Sequence, residues 1–104
     1  MAQKIVVLFN LNPSVDAAVY ENWARSTDLP TVNSLASVEA FRVFKVPGLL
    51  GGGAAPYQYV EIIDCTSLEA LGGDISTETM QRVAAEFQQF ADNPLFMLTT
   101  PLAD

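Results

Sequence analysis

The residues able to do chemistry in this chain crowd into one stretch. Between Glu21 and Phe44, ENWARSTDLPTVNSLASVEAFRVF carries Trp23, Asp28, Thr31, Asn33 and Arg42, and Glu61 follows on a later apolar segment. An arginine can polarise a carbonyl or stabilise an enolate-like charge. A carboxylate can orient that arginine or, once burial raises its pKa, act as a base. The chain contains no histidine. Imidazole acid–base and triad chemistry are therefore excluded, and proton transfer falls to Glu61, Asp28 or a tyrosine.

Elements read from periodicity must bring these side chains together. KIVVLFNL (4–11) is rich in β-branched residues and predicts a strand buried on both faces. Asn12 and Pro13 offer an N-cap and a first helical residue, and Val15, Val19, Tyr20 and Trp23 share a face, predicting a helix over 13–25. Pro30 and its polar neighbours make 26–37 a connection. VEAFRVFKV (38–46) and YQYVEIIDC (57–65) are the next strands, separated by the flexible loop PGLLGGGAAP. Thr66 with Glu69 forms a capping box for a short helix that Gly72 and Gly73 stop. Ser76 caps a stronger one, in which Met80, Val83, Ala84, Phe87 and Phe90 keep helical spacing. Asn93–Pro94 ends it, and LFMLTT (95–100) is the last strand.

The order β-α-β-β-α-β predicts an α+β, ferredoxin-like fold over one domain, 1–104: a four-stranded antiparallel sheet with helices on one face. Such a sheet alternates polar and apolar residues where one face is wet. Ile5 to Phe9 and Leu95 to Leu98 are instead unbroken apolar runs. A second copy's sheet on the uncovered face, in a two-fold homodimer, resolves the conflict.

Composition narrows the partners. Twelve acidic against five basic residues give a net charge of −7, which argues against nucleic acid. A single cysteine, Cys65, permits no intrachain disulfide and fits a reducing compartment. Without histidine, structural zinc and histidine-ligated haem lack ligands, and no acidic cluster has the loop spacing of a calcium or magnesium site. No apolar run is long enough to span a bilayer and no secretory pattern opens the chain, so the expectation is a soluble cytoplasmic protein with no metal and no membrane contact.

WARSTDLPTVNSLASVEAFRVFKV, followed by YQYVEIIDCTSLEAL, resembles the RedY-like family, and the resemblance extends over nearly the whole chain. It implies the dimeric α/β-barrel superfamily, in which two ferredoxin-like sheets close on each other. It further implies a cofactor-free role in making prodigiosin-type tripyrroles or related indole and pyrrole metabolites. There the protein binds a reactive aromatic or heteroaromatic intermediate and guides its coupling or cyclisation. A non-catalytic carrier or assembly partner for another pathway enzyme, and a cofactor-free monooxygenase, are the alternatives. No family motif assigns catalytic residues by position.

If Pro47 faces Pro56 across the hairpin, Arg42 stands opposite Glu61 and Phe44 opposite Tyr59, giving a charged pair amid aromatics. A partly solvated salt bridge on an edge strand accounts for the same residues, and a one-residue slip dissolves the pairing. The expected site has Arg42, Glu61 and Asp28 as its reactive groups. Trp23 stacks on the ligand or packs in the core, and Tyr57 or Tyr59 donates a hydrogen bond. Thr31 and Asn33 bind at the pocket mouth or make turns, and Asn10, which interrupts an apolar strand near its end, is a further ligand-binding candidate. The glycine-rich loop is a hairpin or lid, and Cys65 a small buried hydrophobe.

Overall fold

The computed structural model describes residues 2–103. Strand β1 (Gln3–Leu11) buries Ile5, Val7, Phe9 and Leu11 on one side and leaves Val6 and Leu8 half-buried on the other. The unbroken apolar run thus resolves into two faces once the chain is extended. Strands β2 (Val38–Lys45), β3 (Tyr59–Cys65) and β4 (Ala91–Leu98) complete an antiparallel sheet in the order β2-β3-β1-β4. Helices α3 (Leu68–Ile75) and α4 (Glu78–Phe90) and the helical segment after β1 supply the buried residues that cover one face. The expected ferredoxin-like α+β architecture is present.

The helix after β1 departs from expectation. It begins at Ala17, capped by Asp16, whose carboxylate accepts from the Ala18 N–H at 2.9 Å. Asn12 does not cap it; its side-chain amide donates to the Gln89 carbonyl at the end of α4. Nor does Pro30 end it. Helix α1 (Ala17–Trp23) passes through a five-residue π-helical turn, Ala24–Asp28, into α2 (Leu29–Asn33), so most of the expected connection is helical. Pro30 falls in the first turn of α2, where a missing N–H is tolerated.

The wider turn keeps one stripe pointed inward. Tyr20, Ala24, Asp28 and Val32 are all buried, and each four-residue step overshoots a 3.6-residue turn by about 40°. The π turn, with its Leu29 N–H bonded to the Ala24 carbonyl, takes back that drift.

Smaller corrections concern the caps. Ser67 and Thr77 are the N-caps of α3 and α4, one residue beyond Thr66 and Ser76, and Gly72 and Gly73 lie inside α3 rather than stopping it. Strand β4 begins directly after α4. Asn93 there takes the left-handed φ of 47° beside Pro94, where the pairing with β1 shifts register between Leu8 and Asn10. A bulge is where a strand accepts both residue types.

The uncovered face is apolar. Direct pairing puts Val6 beside Ile62 and Met97, and Leu8 beside Leu95. Phe44 joins them, and it, Leu95 and Met97 are each exposed. At its β2–β3 end Asp64 receives both Lys4 (2.6 Å) and Arg42 (3.2 Å).

Candidate functional site

The β2–β3 register decides which charges meet. Arg42 pairs with Ile62, Val43 with Glu61 and Lys45 with Tyr59, one residue off the expected hairpin. The Pro47–Pro56 alignment fails, and with it the Arg42–Glu61 pair. A ten-residue glycine-rich loop imposes no register, so the apolar faces set it. Arg42 consequently lies on the uncovered face, with its guanidinium 6.0 Å from the Phe44 ring centroid and its charge on Asp64. Glu61 turns toward the helices.

There a cavity of about 310 Å³ lies between sheet and helices, at the small end of the range for ligand pockets. Its walls are Ile5, Phe41, Ile63, Val83 and Phe87, with Met80 beside them. Asp28 comes in from the π turn and Glu61 from the centre of β3. Among the described residues that line the cavity, these are the two ionisable groups. They are 5% and 4% exposed, and no basic side chain accompanies them.

That isolation dictates their protonation. Burial alone raises the Asp28 carboxyl from 3.8 to about 7. Burial, then the charge of Asp28, raises Glu61 from 4.5 to about 8. Desolvation penalises the charged form, and a second carboxylate nearby adds to it. The Tyr20 phenol, fully buried, is raised well above its ordinary value by burial and then by Glu61. Tyr20 draws the Glu61 pKa slightly back down, yet neither the Tyr20 hydroxyl nor Glu61 Oε2 reaches hydrogen-bond geometry with any partner. An unpaired buried polar atom costs roughly 1–3 kcal/mol. Tyr20 lines a smaller neighbouring hollow, so it is Glu61 Oε2 that stands unpaired in the lining of this cavity, a place prepared for a partner.

The other expected site residues lie outside this cavity. Asn33 donates to the Leu29 and Phe41 carbonyls and accepts from the Phe41 N–H, clasping α2 to β2. Asn10 grips the chain entering β3, donating to the Pro56 carbonyl and accepting from the Gln58 N–H. Trp23 packs against Phe90 and Tyr20, and its indole N–H donates to Glu86 at 2.9 Å. Thr31 and Tyr57, half-buried, do not line the cavity. Tyr59 packs against Phe9 and Tyr20 and donates to Glu21 at 2.7 Å. Lys45 (3.1 Å) and Arg25 (3.5 Å) also converge on Glu21, beside a second hollow of about 150 Å³. That hydrogen bond from Tyr59, then Lys45, holds Glu21 below the usual carboxylate range.

Of nine expected site residues, Asp28 and Glu61 meet in the cavity. The sequence places Tyr20 only on an apolar helix face; the four-residue spacing from Tyr20 through Ala24 to Asp28 is the pattern that links it to the acids. Phe96, 59% exposed on β4, and Gln81 on α4 also belong to the lining. No group of three or more metal-ligating side chains occurs among the described residues. Nor does any described helix have the length and apolarity to cross a membrane.

The family model for the REDY-like protein HapK matches residues 3–102. The chain belongs to the RedY-like HapK family. HapK from Hahella chejuensis has the same fold, with TM-score 0.74 and 28% identity over 100% of this chain and 99% of that one. An Arabidopsis thaliana protein superposes with TM-score 0.80 at 20% identity, covering 98% and 97% of the two chains. A Thermobifida fusca structure described as a dimeric ferredoxin-like protein gives TM-score 0.75 at 14% identity, covering 97% and 92%. No curated protein matches the sequence. The RedY-like membership and the shared fold are consistent with a small biosynthetic protein.

Proposed function

We propose that this protein binds a reactive pyrrole- or indole-like intermediate in the cavity between sheet and helices and steers its coupling or cyclisation by proton transfer through Asp28 and Glu61. Two carboxyl groups sharing one apolar chamber, with no cation beside them and Glu61 Oε2 unpartnered, carry this reading. Acids with pKa values of about 7 and about 8 exchange protons near neutrality, which is where a general acid–base pair is most effective. One member can hold a proton while the other accepts one. Phe41 and Phe87 offer flat apolar walls for an aromatic ring.

The working unit in this reading is a homodimer of single-domain chains, closed by the uncovered sheet face. The apolar surface of Leu8, Phe44, Leu95 and Met97 supports it. Cys65, free and buried, suits a cytoplasmic setting.

The test is product formation from the candidate intermediates by wild type, Glu61→Gln and Asp28→Asn. Multiple turnovers in wild type, lost in both variants with the fold intact, support catalysis. Saturation at one ligand per chain without product makes the protein a carrier or assembly partner. Undiminished turnover in both variants removes the two acids from the chemistry.

A further inference from the structure

The fate of the five basic residues constrains what the cavity can accept. Lys4 and Arg42 are paired with Asp64 on the uncovered face, and Arg25 and Lys45 with Glu21 beside the smaller hollow. Arg82 is exposed on α4 and does not line the chamber. Among the described residues no cation accompanies either acid. Elements packed around the acids contribute no further charge. Tyr20 on α1 adds a phenol and Gln81 on α4 an amide, while β2, β4 and α3 present apolar side chains. Glu61, 4% exposed, has its Oε2 unpartnered.

We propose that the cavity discriminates by charge, taking a flat organic cation or strong N–H donor at Glu61 and rejecting anions. The inference rests on the reading that this cavity is the binding site, and it adds the charge state of what enters. A ligand N–H supplies the donor that Oε2 lacks, and a cationic ring gains further from Phe41 and Phe87. An anion meets two carboxyl groups, tolerable only when both are protonated. Cation entry is then an exchange: the cation comes in, and the proton on Glu61 leaves to solvent as the carboxylate forms. Affinity for a cation therefore rises with pH across the neutral range, and affinity for an anion falls.

Benzamidinium, benzamide and benzoate are near-isosteric probes carrying positive, zero and negative charge. Calorimetry on the full chain, in two buffers of different ionisation enthalpy, gives both affinity and proton count. Benzamidinium should bind at least roughly tenfold tighter than benzoate near pH 7, releasing a fraction of a proton up to one. Glu61→Gln should abolish most of that preference, and Glu69→Gln, at the exposed start of α3, should leave it unchanged. Three results each overturn the proposal: benzoate binding as tightly as benzamidinium; no saturable benzamidinium binding up to about 10 mM; or an unaltered preference in Glu61→Gln. Should that variant not fold, the wild-type proton count decides, since release of none between pH 7 and 8 also overturns it. The probes undergo no reaction. A charge-selective cavity in a protein without turnover leaves this inference standing and removes the catalytic reading. Glu61-dependent turnover without charge preference does the reverse.

Discussion

The two faces of the sheet carry similar residues and treat them in opposite ways. On the uncovered face Asp64 sits between Lys4 and Arg42, each of the three at least a quarter exposed. These three charges have partners and water besides. On the covered face Glu61 stands two positions from its nearest same-side neighbours on β3, enclosed with Asp28, with no cation and no hydrogen bond to Oε2. Charges that are paired and wet contribute little to stability, typically below about 1 kcal/mol. Charges that are isolated and dry are expensive, and a fold retains them at cost where function is served. A shift of one residue in the β2–β3 pairing separates these two environments.

The largest effect that could break the contrast is catalytic. Replacing either buried acid, as Glu61→Gln or Asp28→Asn, should lower turnover by about 10²–10⁴-fold, the usual contribution of general acid–base groups. Arg42→Ala on the opposite face should leave turnover per folded molecule near wild type. Steady-state rates on the same intermediate compare them directly, and a large loss in Arg42→Ala would reverse the assignment of faces.

Stability should show the same asymmetry with the opposite sign. A carboxyl group whose folded pKa lies above its unfolded value binds more protons when folded, so stability falls as pH rises through that interval. The window runs from about 4 to about 7 for Asp28 and to about 8 for Glu61. Wild type should thus be more stable near pH 5 than near pH 9. Glu61→Gln should flatten that slope and stabilise the protein at pH 9 by an amount on the order of 5 kcal/mol. Urea unfolding at the two pH values measures both. A variant that gains stability while losing activity would show that the site is held under strain.

A smaller loss is expected at the clasp between α2 and β2. Asn33→Ala removes three hydrogen bonds to backbone groups and should destabilise by about 1–3 kcal/mol, displacing Asp28 along with the helix. Lys4→Ala on the uncovered face should change monomer stability by less than about 1 kcal/mol. The same face sharpens the comparison in another way. Leu8→Asp, among apolar neighbours there, should shift sedimentation from dimer to monomer, and an unchanged species would mean the face is not the dimer contact.

What could be read from the sequence follows the same physical division. Element order was legible because period-2 and period-3.6 patterns report burial directly, so Ile5 to Leu11 and Met80 to Phe87 announced themselves. Glu61 was recognisable as a reactive group, since an acid is rare in an apolar strand, whereas Asp28, among polar neighbours, stood out only as a group left to move protons in a chain without histidine. Their meeting was not, because the two prolines flanking the loop suggest a register one residue off, which turns Glu61 toward Arg42. Proline at 30 suggested a stop, yet a π turn ahead of it lets the helix continue, and that is what carries Asp28 into the chamber. Asn33, Asn10 and Trp23 are polar or amphipathic side chains whose hydrogen bonds go to backbone groups of other segments or to Glu86. Composition does not distinguish such bonds from ligand contacts.

The protonation of the two enclosed acids is the claim on which the functional reading depends. Carbon-13 NMR of the side-chain carboxyl carbons, with Asp28→Asn and Glu61→Gln used for assignment, follows each group through pH in the ligand-free protein. Midpoints near 7 for Asp28 and near 8 for Glu61 are the predicted result. Both groups titrating near 4, as ordinary carboxylates do, would show a wet or cation-paired site and contradict the account.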